Sequence, residues 1–301
     1  MGETSGAAAR HTPVSLAIAA VKQLRPKQWA KNVFLFAALV FSRSFLQPDA
    51  IIASLVGFAA FCMVSSTGYV LNDLLDREAD RVHPKKKHRP IASGALPVPA
   101  AIVLLLCTGT LGLSLAAWVG PWFLAVTLAY FCTTLSYSWY FKHIVILDIM
   151  FLSSGFVWRA VAGAVAVDVG VSPWLFVCTA FLALFLGFNK RRGELLALGD
   201  TAGTRKNLAE YSPAMLEQFQ AIVTGNVVLS YSLYTILSDT TPWMAVTIPY
   251  VLYGIFRYVY LIDREGAGDA PDETLLTDRP ILITGVLYAV TVVAVLMFGP
   301  L

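Results

Sequence analysis

Charge is what this sequence has least of. Asp, Glu, Lys and Arg make up 14% of its 301 residues while 57% are hydrophobic, whereas an ordinary soluble domain carries about a quarter charged residues. The composition therefore excludes a soluble globular domain and points to a chain solvated by lipid. Cysteine is also scarce and unpatterned. Cys62, Cys107, Cys132 and Cys178 fall inside apolar runs without CxxC spacing or nearby histidines, which argues against a zinc site or a disulfide framework and leaves them as small packing residues. A formal net charge of +3 says little by itself. The charges occur in short blocks between long apolar runs, and no nucleic-acid partner is expected.

What is abundant is apolar sequence of membrane-crossing length. A span needs about 20 mostly apolar residues, and nine stretches qualify: 29–47, 49–75, 98–118, 121–140, 144–166, 173–190, 214–238, 242–262 and 280–298. Pro48, Pro97, Pro99, Pro121, Pro173, Pro213, Pro242 and Pro280 punctuate the joins. Lipid offers backbone groups no outside partner, so each stretch is expected to be a helix. The fold class expected is all-α integral membrane, a bundle of nine transmembrane helices over 29–301. Residues 1–28 are expected to be a cytoplasmic tail and an interfacial helix, because the short apolar run Val14 to Val21 precedes the basic residues, the reverse of a cleaved leader.

All of the 22 lysines and arginines except Arg43, Arg159 and Arg257 lie on or beside the tail and the loops after the second, fourth, sixth and eighth spans. The positive-inside rule places those loops, about 76–97, 191–213 and 263–279, in the cytoplasm of a multi-pass plasma (inner) membrane protein. The opposite connections are short and flanked by Trp118, Trp122, Trp174 and Trp243. Water-facing chemistry is thus expected on the cytoplasmic side.

Four constellations stand out there. Asn72, Asp73, Asp76 and Asp80 share one face if the second span continues as a helix. Stacked carboxylates repel unless neutralised, either by Arg77, Arg81 and water or by Mg²⁺, a hard cation that takes oxygen ligands. Arg81, Lys85, Lys86, Lys87 and Arg89 follow directly, and carboxylates for a metal beside cations for phosphates suit a diphosphate. The second constellation is Tyr137, Lys142 and Asp148, with Arg159 inside a span. An intramembrane arginine needs a polar partner, and a substrate anion or Asp168 is expected to supply it. The third is Asn189-Lys190-Arg191-Arg192-Gly193-Glu194. The fourth, Arg25, Lys27 and Lys31, is placed to bind a lipid phosphate or the anionic leaflet. Asp263 to Asp278 reads as a mobile flap.

The pattern NDxxDxxxD at Asn72, Asp73, Asp76 and Asp80, with the Tyr137 to Asp148 element and nine spans, resembles the UbiA superfamily of intramembrane prenyltransferases. The resemblance implies a nine-helix bundle with a cytoplasm-facing polar cavity and Mg²⁺ on the first motif. Most members carry a second acidic DxxxD motif where this chain has Asn189 to Glu194. With the Arg25 to Asn32 stretch, this departure resembles the phosphoribosyltransferase branch, which joins phosphoribosyl pyrophosphate (PRPP) to decaprenyl phosphate in cell-wall arabinan synthesis.

That resemblance implies catalytic and metal roles for Asp73, Asp76 and Asp80, a metal contact from Asn72, and a catalytic role for Lys190. It also implies PRPP contacts from Arg81, Lys87, Arg89, Tyr137, Lys142, Asp148, Arg159, Lys190, Arg191 and Glu194. Arg25, Lys27 and Lys31 would meet the lipid phosphate. A homo-oligomer is compatible with the sequence. Two alternatives stand beside this reading: prenyl transfer to an aromatic acceptor on the same fold, and an anion or lipid-phosphate transporter. Short outer loops and one-sided charge argue against the transporter.

Overall fold

The computed structural model describes residues 12–84, 86–198, 208, 210–237, 241–265 and 277–299. The expected tail, Lys85, much of the 191–213 loop and most of the expected flap lie outside these residues. Among the described residues the regular structure is entirely helical. The α-helices are α1 (Pro13–Leu24), α2 (Phe36–Phe41), α3 (Pro48–Leu75), α4 (Arg77–Val82), α5 (Val98–Val119) and α6 (Pro121–Trp139). They continue with α7 (Leu147–Ala166), α8 (Pro173–Leu198), α9 (Pro213–Leu237), α10 (Ile248–Glu265) and α11 (Arg279–Phe298). Proline opens α1, α3, α6, α8 and α9, where its missing N–H is no loss and its fixed φ suits the first turn.

Successive helices pack on one another: α3 on α5, α5 on α6, α6 on α7, α7 on α8, α8 on α9, and α10 on α11. The ring closes where Phe41 of α2 meets Tyr234 of α9 edge to face and Val40 and Phe41 join the cluster of Val292 and Leu296 of α11. Small residues bring backbones close. A Cβ at Gly112 of α5 would lie 2.8 Å from the Val64 side chain of α3, and Thr67 and Thr108 bridge the same pair at 2.9 Å, a common device where lipid gives helices no hydrophobic drive to associate.

Among the described residues, seven helical segments are long and apolar enough to cross a membrane: α3, α5, α7, α8, α9, Pro242–Asp263 and α11. The expected fourth span, α6, falls short because Thr127, Thr133, Thr134, Ser136 and Ser138 dilute its apolar run. The expected first span is corrected more substantially. Residues 29–47 do not form one α-helix: a 3₁₀ segment, Pro26–Leu35, passes into the short α2, and a second 3₁₀ turn follows at Ser44–Leu46. Arg25 and Arg43 break the chain in the left-handed region, at φ 54° and 61°, and Pro26 fixes the restart.

Irregular backbone at membrane depth must be covered by protein, and here it is. Asn32 and Leu35 are fully buried, and the Leu35 carbonyl lies against Gly163 of α7 so closely that a Cβ there would meet it at 2.0 Å. Only glycine fits. Gly163→Ala is therefore expected to push the 26–35 segment off α7 and to cost about 1–3 kcal/mol, read as a lowered melting temperature in detergent; an unchanged melting curve would contradict this packing.

Candidate active site

The charged residues inferred from sequence gather at one end of the bundle, where α3 and α6 finish, α7 begins, α8 finishes and α9 begins. Helix α3 breaks at Asp76 (φ −87°, ψ 4°) before α4 resumes, although the backbone bonds Asp76 N–H to Asn72 and Asp80 N–H to Asp76 continue through the break. Asp73 and Asp80, two turns apart, keep a common face. Both are buried, each 2% exposed. One nitrogen of Arg89 bridges them, donating to Asp73 Oδ1 at 2.9 Å and Asp80 Oδ2 at 2.7 Å. Asp73 also accepts from Gln23 Nε2 at 2.8 Å and from Arg25 at 2.7 Å, and Lys86 Nζ lies 3.9 Å from Asp80.

Asp76 departs from the expected common face: half exposed, it approaches Lys142 Nζ at 3.9 Å. Asn72 donates to Ser138 of α6 at 3.0 Å. The donor set of Asp73 and Asp80 fits a hard divalent cation, because two carboxylates already converge on one position of positive charge. Among the described residues no group of three or more acidic, histidine or cysteine side chains is close enough to hold a metal ion alone. Mg²⁺ usually takes one or two protein carboxylates with substrate oxygens completing its shell, a number that Asp73 and Asp80 meet.

Several expected ligands take other positions. Arg25 is drawn to Asp73 instead of standing at a lipid phosphate, because its left-handed turn aims it across α3 and over the Tyr69 ring, 4.8 Å from the centroid. Lys27 is exposed, and Lys31 lines an apolar cavity described below. Arg81 pairs outward with Glu78 at 3.1 Å, and Lys87 is exposed. Lys190 is half-buried on α8.

Arg191, expected to touch phosphate, is only 1% exposed. Its Nε donates to Asp148 Oδ2 at 2.7 Å, and it also reaches Glu194 and, at 3.4 Å, Tyr137. The Asp148 carboxylate, with no exposure at all, receives a second bond from the Tyr211 hydroxyl at 2.7 Å. Burial, with the hydrogen bond to Asp148 acting in the same direction, pushes the Tyr211 phenol well above its usual range, so it remains a donor. The same hydroxyl accepts from the N–H of Ile146 at 2.6 Å, a residue held at φ 69°, where a β-branched side chain is strained. Arg191 thus ties α7 to α8, and Tyr211 ties the start of α7 to the approach of α9.

Arg159 is likewise corrected. Its partner is neither Asp168, which is exposed, nor an open face. It donates to Asn32 Oδ1 at 2.7 Å, the Gly155 carbonyl at 2.7 Å and the Tyr130 hydroxyl at 2.9 Å, so it clamps the 3₁₀ segment to α6 and α7. Gln23, Tyr211 and Tyr130 escaped sequence reasoning. A polar residue such as Gln23 beside an Arg-Pro break was the one available signal.

An apolar cavity of about 780 Å³ is lined by the 3₁₀ segment, α2 and α7 to α11. Phe34, Phe156, Leu182, Tyr231 and Tyr288 line it, with Lys31 at its polar margin.

A helical bundle with membrane-length segments carries a carboxylate and cation cluster at one end and an apolar cavity among its helices, and its family makes it a membrane transferase. The chain belongs to the UbiA prenyltransferase family, which it matches over residues 32–275. It is 35% identical to a decaprenyl-phosphate phosphoribosyltransferase of Corynebacterium glutamicum, across 97% of this chain and 91% of that one. It is also 35% identical to an enzyme of the same name from Mycolicibacterium smegmatis, across 95% of each. Among solved structures, a UbiA homolog from Archaeoglobus fulgidus bound to GPP and Mg²⁺ superposes with a TM-score of 0.73 at 19% identity, covering 93% of this chain and 99% of that one. At that identity the likeness is one of fold.

Proposed function

We propose that the protein transfers 5-phosphoribose from PRPP to decaprenyl phosphate, releasing pyrophosphate, and so supplies a precursor of cell-wall arabinan. The observation that carries this reading is the charge inventory. Asp73 and Asp80 converge among Arg25, Lys86 and Arg89, with Lys142 beside Asp76, while the end of α8 carries three cations, Lys190, Arg191 and Arg192, and one carboxylate, Glu194, where most of the family has a second acidic motif. PRPP brings a diphosphate and a 5-phosphate, and the acceptor brings a third phosphate. One carboxylate site ringed by cations suits three anionic groups better than two acidic sites do. The naming of the full-length relatives points the same way.

In this reading Asp73 and Asp80, with Asn72 and Asp76 near them in sequence, would hold Mg²⁺. When bound, the ion supplies neutralisation of charge growing on the leaving group. Arg89, Lys142 and Lys190 bind the phosphates and fix the ribose C1 relative to the acceptor. As the C1–O bond breaks the ribose passes through an oxocarbenium-like state, by analogy with other glycosyl transfers, and an oxygen of the lipid phosphate forms the new bond. A phosphate monoester is already anionic near neutral pH, so no side chain need act as a strong base.

The apolar cavity suits an isoprenoid chain, with Lys31 at its margin for the lipid phosphate. The site faces the cytoplasm, where the basic loops lie, and α6 and the 3₁₀-to-α2 segment complete the bundle as its further membrane-embedded elements. Purified protein incubated with PRPP, decaprenyl phosphate and Mg²⁺ is expected to yield decaprenylphosphoryl-5-phosphoribose and pyrophosphate by mass spectrometry, and none with EDTA. Absence of that lipid product in a folded preparation would overturn the assignment.

A further inference from the structure

The position where Asp73 and Asp80 converge already holds a positive charge. A single Arg89 nitrogen lies 2.9 Å from one carboxylate and 2.7 Å from the other, and Arg25 sits 2.7 Å from Asp73 Oδ2. Two buried carboxylates facing one another would otherwise repel, and a buried charge left unpaired is costly. The arginines balance that charge from within the chain. They also occupy the lone pairs that a divalent cation needs.

We infer that Arg89, assisted by Arg25, is a resident counter-cation of the Asp73 and Asp80 pair that competes with the divalent metal, so that metal binds well only when a diphosphate draws the arginine away. This deepens the proposed function and rests on its assignment of the site to a diphosphate. The geometry suits an exchange. Arg89 follows the 3₁₀ turn Lys86–His88 and precedes Pro90, and its side chain is 29% exposed, so it has a path to solvent. Asp73 is also held by Gln23 at Oδ2 and by Arg25 at both oxygens, so its carboxylate keeps its orientation when Arg89 leaves. A guanidinium forks equally well onto phosphate oxygens. One movement then frees two carboxylates for the metal and delivers a cation to the anion, and the order of binding becomes a property of the site.

The consequence runs against the usual effect of deleting a site residue. Arg89→Gln is expected to tighten Mn²⁺ binding about ten-fold or more in the absence of any substrate, because a like charge has left the metal's own position. The bound fraction is read by electron paramagnetic resonance on the full-length protein in detergent micelles. Inorganic pyrophosphate should enhance Mn²⁺ affinity strongly in the unaltered protein and little in the variant. Arg25→Gln, which removes the second cation from Asp73 by an independent change, should shift affinity in the same direction. Mn²⁺ affinity that stays level or falls in both variants overturns the inference. The outcome separates cleanly from failure of the proposed reaction: enhancement by pyrophosphate but not by PRPP would keep the counter-cation and reject the donor, whereas PRPP turnover with unshifted Mn²⁺ affinity in both variants would do the reverse.

Discussion

Asp73→Asn is expected to lower phosphoribosyl transfer by about 10³-fold or more, the scale on which losing a preorganised electrostatic contact to a developing charge is felt. The change is nearly isosteric, and an Asn oxygen can still accept from Gln23, so the fold should survive. What is lost is the charge. Arg25 and Arg89 both lie within 3 Å of this carboxylate, and without it they have one fewer anion to balance. A stability loss of about 1–3 kcal/mol is expected from that imbalance, visible as a modestly lower melting temperature. Activity should therefore fall far more than stability does. A folded variant with undiminished turnover would show that the buried pair is only a helix-end ion pair.

The second large effect separates a structural arginine from a substrate-binding one. Arg191→Ala is expected to destabilise the protein by about 3–5 kcal/mol, because it strands the wholly buried Asp148 without its cation. The paired replacement of Arg191 by Met and Asp148 by Asn should recover much of that loss, since removing both charges leaves no uncompensated ion. Thermal melting in detergent tests both statements. If Arg191 instead served mainly to bind phosphate, Arg191→Ala would melt normally and raise the KM for PRPP. The structure argues for the first outcome: Arg191 is 1% exposed, and its partners come from two helices.

Arg191, Arg25 and Arg159 also show where sequence reasoning stops. The helical class, most of the spans and the Asp73 and Asp80 pair were legible, because apolar run length and a three-and-four residue spacing are local properties that lipid and helix geometry enforce. Membership of the UbiA family was legible from the same motif. Which cation meets which anion was not. Arg191 and Arg25 both read as phosphate ligands from their neighbours in sequence, yet each is claimed by a carboxylate 43 and 48 positions away. Arg159 was assigned a substrate anion or Asp168 because the partners it has, Asn32 and Tyr130, are neutral and remote, at separations of 127 and 29.

The first span failed for another reason. Residues 29–47 are apolar enough to cross a membrane, but the left-handed Arg25 and Arg43, Pro26 and the close contact with Gly163 shape a broken segment instead. Tertiary contact decided what composition left open. The same break carries Arg25 to Asp73 and sets Lys31 in the lining of the apolar cavity.

The most direct measurement of the central claim is a choice of donor. One folded preparation is given PRPP with decaprenyl phosphate, and in parallel a prenyl diphosphate with an aromatic acceptor, each with Mg²⁺. The account predicts pyrophosphate release and a lipid-linked phosphoribose from the first mixture and no transfer in the second. Prenylation of the aromatic acceptor, with PRPP left intact, would contradict it.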